Sequence, residues 1–303
     1  MKGKKTLGIT TSNSLEIEKG TNPQIARIIL AKKWSGGEHE VTNVLDTVYK
    51  NWSSKYNDTH VEFIITTGGF VEFEWDNSIT KNDIGDPMNP NPKIVQRLTI
   101  QAQTHLEKIL SRNDYVKKFS KFSRYMTFGV DSFSSKLPKE MPKKPHIELI
   151  FVVNLKTNEY YHTGKIYPTG DQVSGLVRYT DMESHFLKLD GKSIMILGCH
   201  DLTMFNNRAE STAKGLRKEI LESFREITKT KKPDIILQHP HITIKVNSWR
   251  NAWLILQQEL VDHDFWYASA GKYYKDGELP ESKEKVFKIS KNVDSLDFIF
   301  SLS

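Results

Sequence analysis

The chain predicts an α/β fold, and three observations carry that prediction. Two short unbroken apolar runs, Ile194-Met195-Ile196-Leu197 and Ile235-Ile236-Leu237, flank a polar segment of helical character. Such runs read as neighbouring buried parallel strands joined by a crossover helix. Elsewhere amphipathic helical patterns alternate with further apolar runs, and no internal repeat is visible. Finally, His146 to Val153 and Glu159 to Tyr167, parted by Lys156-Thr157-Asn158, give the signal of a hairpin.

Taken in order, Thr6 to Thr10 predicts a first strand. Asn22-Pro23 predicts a helix start, with Ile25, Ile28 and Ile29 on one face. Val41, Val44, Leu45, Val48 and Trp52 keep an amphipathic helical period. Val61 to Ile65 is a strand ended by Gly68-Gly69, and Pro92 to Asn113 is a helix through Val95, Leu98, Ala102, Leu106 and Ile109. Ser123 to Val130 reads as a strand, and residues 131–146, rich in Lys, Pro and Ser, as a surface insertion. A helix at Ser248 to Val261 precedes a strand at Phe265 to Ala268. The tail, 272–303, alternates like a strand from Val286 to Leu302 without a place in the order. The whole series favours one mixed-sheet α/β domain over residues 1–303.

Composition narrows the function classes. Hydrophobic residues make up 38% and charged residues 26% of the 303, which suits a water-soluble globular protein. The net charge of +6 comes from 43 basic and 37 acidic residues, a mixed surface rather than a basic groove. Lysine tracts such as Lys229-Thr230-Lys231-Lys232 read as solvated faces, so no nucleic-acid partner is expected. No apolar stretch approaches membrane-spanning length, and the basic start Met1-Lys2-Gly3-Lys4-Lys5 leads into no signal-peptide core. A lone cysteine forms no internal disulfide, which fits a cytoplasmic protein.

Chemistry is expected beyond the carboxyl ends of the two central strands, where open α/β sheets gather their ligands. Those ends read Gly198-Cys199-His200-Asp201 and Gln238-His239-Pro240-His241. They hold the single cysteine, three histidines and an aspartate.

With the hairpin in place, the order of elements resembles the nitrilase-like carbon–nitrogen hydrolase superfamily from about Thr6 to Ala270. The segment Glu159 to Pro168 is similar to that family's hairpin strand ending in its lysine, here Lys165. Ile194 to Phe205 is similar to its nucleophile strand, where an acidic residue follows the cysteine closely, as in Cys199-His200-Asp201. Trp249 and the following helix are similar to its Trp-containing helix. The resemblance implies an α-β-β-α sandwich, pairing of two subunits, a small-molecule substrate and no cofactor. It also implies a Glu-Lys-Cys triad. The family's glutamate is missing at Ile65-Thr66-Thr67-Gly68-Gly69, with only Glu72 and Glu74 close by in sequence.

Three readings follow from these residues. In the first, a cysteine-dependent hydrolase cleaves an amide or nitrile. Cys199 attacks as thiolate, Lys165 stabilises the oxyanion, and His239 or His241, or else Glu72, takes the proton; His200, Asp201 and Trp249 line the substrate site. In the second, His200, Asp201, His239 and His241 hold a metal ion for hydrolase or phosphoesterase chemistry. Gly198 to Asp201 and His239-Pro240-His241 are similar to two segments of calcineurin-like metallophosphoesterases, although that family's Gly-Asp-x-x-Asp segment does not occur. The third is a binding protein that kept the fold and lost the base. Against all three stands a buried cysteine that merely packs at a strand end.

Overall fold

Alternation along the strands sorts the apolar side chains into layers, and that sorting builds the architecture. The computed structural model describes residues 13–76, 78–137, 145–170, 172–173, 175–242, 246–273, 286 and 289–302. The strands are β1 (Asn13–Lys19), β2 (Ile25–Ala31), β3 (Val61–Ile65), β4 (Val71–Glu74), β5 (Gly85–Asp86), β6 (Asn89–Pro90), β7 (Ser123–Phe133), β8 (His146–Asn154), β9 (Tyr160–Gly164), β10 (Phe186–Leu189), β11 (Lys192–Leu197), β12 (Ile235–Gln238), β13 (Trp266–Ser269) and β14 (Ser295–Leu302). The helices are α1 (Glu38–Lys55), α2 (Lys81–Ile84), α3 (Pro92–Arg112), α4 (Tyr115–Phe119), α5 (Asn207–Thr212), α6 (Leu216–Lys231) and α7 (Val246–Glu259).

Among the described residues, β1-β14-β2-β3-β7-β8-β9 lie side by side in one mixed sheet, with β4 also against β7. A second sheet has the order β10-β11-β12-β13, and β5 and β6 form a small separate ribbon. The expected sandwich is present, but its strands divide between two large sheets rather than filling one. Phe63, Ile65, Tyr125, Ile150 and Val152 of the first sheet meet Ile194, Ile196, Ile235, Leu237 and Ala268 of the second in one apolar layer. The intervening residues face outward to helices. Trp52 of α1 packs on Phe298 of β14 at 5.4 Å between ring centroids, and Trp253 of α7 stacks on Tyr267 of β13 at 3.9 Å. Helices, sheet, sheet, helices: the four layers follow from period-2 alternation with apolar residues on both faces.

The helices at α1, α3 and α7, the β8–β9 hairpin and the parallel β11–β12 pair stand where the sequence places them. Asn91 caps α3 by accepting from the Lys93 amide, with Pro92 in the first turn, where a missing N–H costs nothing. The helix expected from Asn22-Pro23 does not form. Ile25–Ala31 is a strand buried along all seven residues, with helices on one face and the second sheet on the other. Its residues at 25, 28 and 29 fit a helical spacing only because nearly every position is apolar. The C-terminal alternation becomes β14, threaded between β1 and β2, antiparallel to the former and parallel to the latter. Strand β7 continues to Phe133, so Asp131 belongs to the sheet rather than to the insertion read from 131–146. The first strand expected at Thr6 to Thr10 lies outside the described residues.

Strands β3 and β4 run end to end along the same edge of β7. Between them residues 66–70 leave the sheet, and Gly129 of β7 lets them do so closely. A Cβ on Gly129 would sit 2.3 Å from the Thr67 carbonyl oxygen. Into this gap drops the segment after β12, the Gly68 amide donating to the Pro240 carbonyl at 3.2 Å. Here the two sheets meet the candidate site.

Candidate active site

Pairing register in the first sheet puts charged residues in one cross-strand row. Glu72 of β4 pairs with Asp131 of β7, and Asp131 with Glu148 of β8. Just beyond β9 the Lys165 amide donates to the Glu148 carbonyl at 2.9 Å, which extends the row by one residue. Three adjacent carboxylates would repel one another by themselves. Cations stand at the gaps. The Lys272 ammonium donates to Glu72 at 3.1 Å. The His241 Nε2–H donates to Asp131 at 2.5 Å, with Nδ1 lying 3.6 Å from Glu148. The Lys165 ammonium holds both Glu148 oxygens at 3.0 and 2.9 Å. Gln172 and His146 also face Glu148, at 2.7 and 3.5 Å.

The second sheet supplies the cysteine. Beyond β11, Cys199 is buried, and its sulfur accepts the His241 backbone N–H at 3.2 Å. Asp201 fixes this turn. Its carboxylate accepts the Gly198 amide at 2.8 Å and the Tyr167 amide at 3.0 Å, binding the thiol-bearing turn to the segment that carries Lys165. Gly198 makes room for it, since a Cβ there would lie 2.8 Å from an Asp201 oxygen. Cys199, Lys165, His241, His200, Glu148 and Trp249 all line one pocket of about 580 Å³.

Burial pushes the Cys199 thiol up, but the His241 imidazolium and the Lys165 ammonium outweigh it and leave the thiol more acidic than usual. Burial disfavours the charged His241 ring as well; the carboxylates of Asp131 and Glu148 reverse this and hold it protonated well above its ordinary range. Glu148 is kept well below the carboxylate range by Lys165 and His241, against the cost of its own burial. His200 is pushed down to about 4 by burial and the neighbouring Lys165 charge, so it faces the pocket as a neutral ring.

Several sequence-predicted residues stand apart from the pocket lining. His239 is buried, its Nδ1–H donating to the Thr66 carbonyl at 2.8 Å, and burial lowers it to about 4. It ties β12 to the end of β3. Asp201 is spent on backbone amides rather than open to substrate. Glu72 is the cross-strand neighbour of Asp131 and gives its carboxylate to the Lys272 ammonium at 3.1 Å, outside the pocket lining. These side chains do not converge, and among the described residues no group of three or more His, Cys, Asp or Glu could hold a metal ion. No helix of the described residues is long and apolar enough to cross a membrane.

Asp131 and Glu148 were missed by the sequence reading. The signal was there: each is the lone carboxylate of its strand and stands against a short apolar run, Phe-Gly-Val-Asp and Ile-Glu-Leu-Ile. A charge in such a place needs a partner.

No protein-family model matches the chain, and no curated protein does. Among solved structures, the chain is similar to an amidase from Nesterenkonia sp., with 9% identity and a TM-score of 0.46, covering 84% of this chain and 78% of that one. A point mutant of the Nesterenkonia AN1 amidase, described as from the nitrilase superfamily, gives 11% identity and a TM-score of 0.46, covering 83% and 77%. Another mutant of that amidase, with acrylamide added at its active-site cysteine, gives 10% and 0.46 over 82% and 78%.

Proposed function

We propose that the protein is a cysteine-dependent hydrolase of a carbon–nitrogen bond in a small amide or nitrile. One observation carries this reading: the acidified thiol of Cys199 shares a pocket with the Lys165 ammonium and a histidine held as its imidazolium. A thiolate beside a protonated imidazole is ready both to attack and to protonate a leaving amine. That changes the part expected of the histidine. His241 is the first acid, not the first base, because Asp131 and Glu148 keep its proton in place.

For an amide, the sulfur of Cys199 bonds to the carbonyl carbon and the π pair moves to oxygen, where Lys165 stabilises the negative charge. The tetrahedral adduct collapses, the C–N bond breaks, and His241 gives its proton to the departing nitrogen. A thioester and a neutral imidazole remain. Water then attacks the thioester carbon while His241 takes a proton from it, the C–S bond breaks, and acid is released. The thiolate and imidazolium are restored. Neutral His200 offers the substrate a hydrogen bond, and Trp249 supplies an apolar wall.

The test is ammonia release from a panel of short aliphatic amides and nitriles, with mass spectrometry of the enzyme quenched during turnover. The wild type should show a thioester adduct on Cys199, and Cys199→Ala should lose turnover by roughly 10⁴-fold or more. Full turnover in Cys199→Ala would falsify the reading.

A further inference from the structure

Behind the imidazole the charged row continues away from the pocket. The Asp131 carboxylate touches His241 on one side and is the cross-strand neighbour of Glu72 on the other, and Glu72 takes the Lys272 ammonium. Lys272 is attached to the same histidine a second time, its backbone N–H donating to the His241 carbonyl at 3.0 Å. Gly69, with φ +55°, leaves the space in which this trio meets. A Cβ there would lie 2.9 Å from Asp131 Oδ2, 3.0 Å from Glu72 Oε1 and 3.2 Å from His241 Cδ2. The residues contacted come from three separate segments, so the arrangement is built by the whole fold and not by one loop.

We infer that Asp131 is the positioning residue of His241, fixing its ring and its proton, and that Glu72 and Lys272 set the strength of that hold from outside the pocket. This rests on the hydrolase reading for its catalytic meaning. The physical logic is that of any imidazole whose far nitrogen donates to a carboxylate: the pair selects one ring orientation and favours the cation. What is particular here is a second carboxylate and an ammonium behind the first. Glu72 adds negative charge near the ring, and Lys272 subtracts it. The two residues therefore act on the imidazole with opposite signs.

The groups that face His241 are Asp131 from β7, Glu148 from β8, Glu72 from β4, and Cys199 and His200 from the turn after β11. Lys165 and His146 stand beyond Glu148, and Lys272 beyond Glu72. Glu148 also favours the protonated ring, but it lies 3.6 Å from Nδ1 and is already bound to Lys165. Asp131, at 2.5 Å, is the closer and stronger partner.

The experiment follows the His241 ring by NMR of protein carrying labelled histidine, across pH, in the full chain. Wild type should show a downfield ring N–H proton and an alkaline titration midpoint. Asp131→Asn should lose that resonance and move the midpoint acidward by about 1–3 pH units, with the alkaline limb of ammonia release moving alongside. Asp131→Glu should recover part of the shift. Glu72→Gln should move the midpoint acidward by less, and Lys272→Met should move it the other way. A structural role alone predicts loss of folded protein without opposite shifts. An unmoved midpoint in Asp131→Asn, or shifts of the same sign in Glu72→Gln and Lys272→Met, overturns the inference. Persistence of turnover in Cys199→Ala defeats the hydrolase reading instead and leaves the titration result untouched.

Discussion

Two buried ionic clusters in this protein have opposite characters. In the first, Arg27 of β2 is fully buried and donates to both Asp297 oxygens at 2.8 and 2.5 Å, to the Ser269 carbonyl at 3.1 Å and to the Ser290 hydroxyl at 2.6 Å. Ser295 and Lys291 complete the shell around Asp297. In the second, Glu148 and Lys165 are nearly as deeply buried, yet they stand at a pocket beside a thiol. Both clusters carry perturbed pKa values, and both are built on sheet strands and the segments beside them. The difference lies in where the hydrogen-bonding capacity goes. The Arg27 cluster spends it on the protein and locks β14 to β2; the Lys165 cluster directs it toward a cavity. Burial and charge alone therefore do not mark a site.

Removing one partner from each cluster should break this comparison most sharply. Arg27→Met leaves Asp297 charged and buried, so unfolding free energy should fall by about 3–5 kcal/mol. At temperatures where the variant stays folded, iodoacetamide should still alkylate Cys199 at the wild-type rate. Lys165→Met should cost less stability, since Gln172, His146 and His241 still face Glu148. On the hydrolase reading its turnover should nevertheless fall by roughly 10²–10³-fold, the loss expected where an oxyanion donor is removed. Chemical denaturation and ammonia release together separate the two. Equal stability losses with equal activity losses would mean that both clusters are merely structural.

The strand-end chemistry was legible because it was local. Unbroken apolar runs announce buried strands, and residues at their carboxyl ends can be read directly, which is how Cys199, His200 and His241 came together with Lys165. Register was not legible. Asp131 and Glu148 come to the site through pairing between strands separated by a long connection, and nothing in either segment alone states which residue lies opposite which. The misread β2 has a related cause: when both faces of a strand are covered, the alternation that identifies strands disappears. The C-terminal strand could be recognised but not placed, because its neighbours, β1 and β2, lie at the other end of the sequence.

The two clusters should also separate under pH. Asp297 and Glu148 are both held below the ordinary carboxylate range, for all that burial opposes it, Asp297 by Arg27 and Glu148 chiefly by Lys165. Their contribution is present above the unfolded-state value and is lost as pH falls through the folded one. His241 is raised, so its contribution is complete below the unfolded value near 6.5 and is lost as pH rises through the folded one. Acid destabilisation thus draws on both regions, and this alkaline component on the pocket alone. In thermal melts across pH, His241→Gln should flatten the alkaline side while the acid side stays steep. An unchanged alkaline slope would remove the imidazolium from the account.

The smallest expected effect is the most local. Gly69 and Gly191 both hold positive φ, +55° and +82°, so alanine at either carries the strain of a left-handed backbone, about 1–2 kcal/mol. Their surroundings differ completely. A Cβ on Gly191, in the turn between β10 and β11, meets nothing within 4 Å, whereas one on Gly69 presses on Asp131, Glu72 and His241. The contacted atoms are side-chain ends, which can yield by a few tenths of an ångström, so Gly69→Ala should still fold. That displacement falls on the hydrogen bond between Asp131 and His241, where misplacement is costly to reaction geometry. Gly191→Ala should thus lose stability and keep wild-type kcat, while Gly69→Ala should lose similar stability and about ten-fold in kcat. Equal kcat in the two variants would show that the imidazole tolerates the shift and that its fixed orientation does not limit the rate.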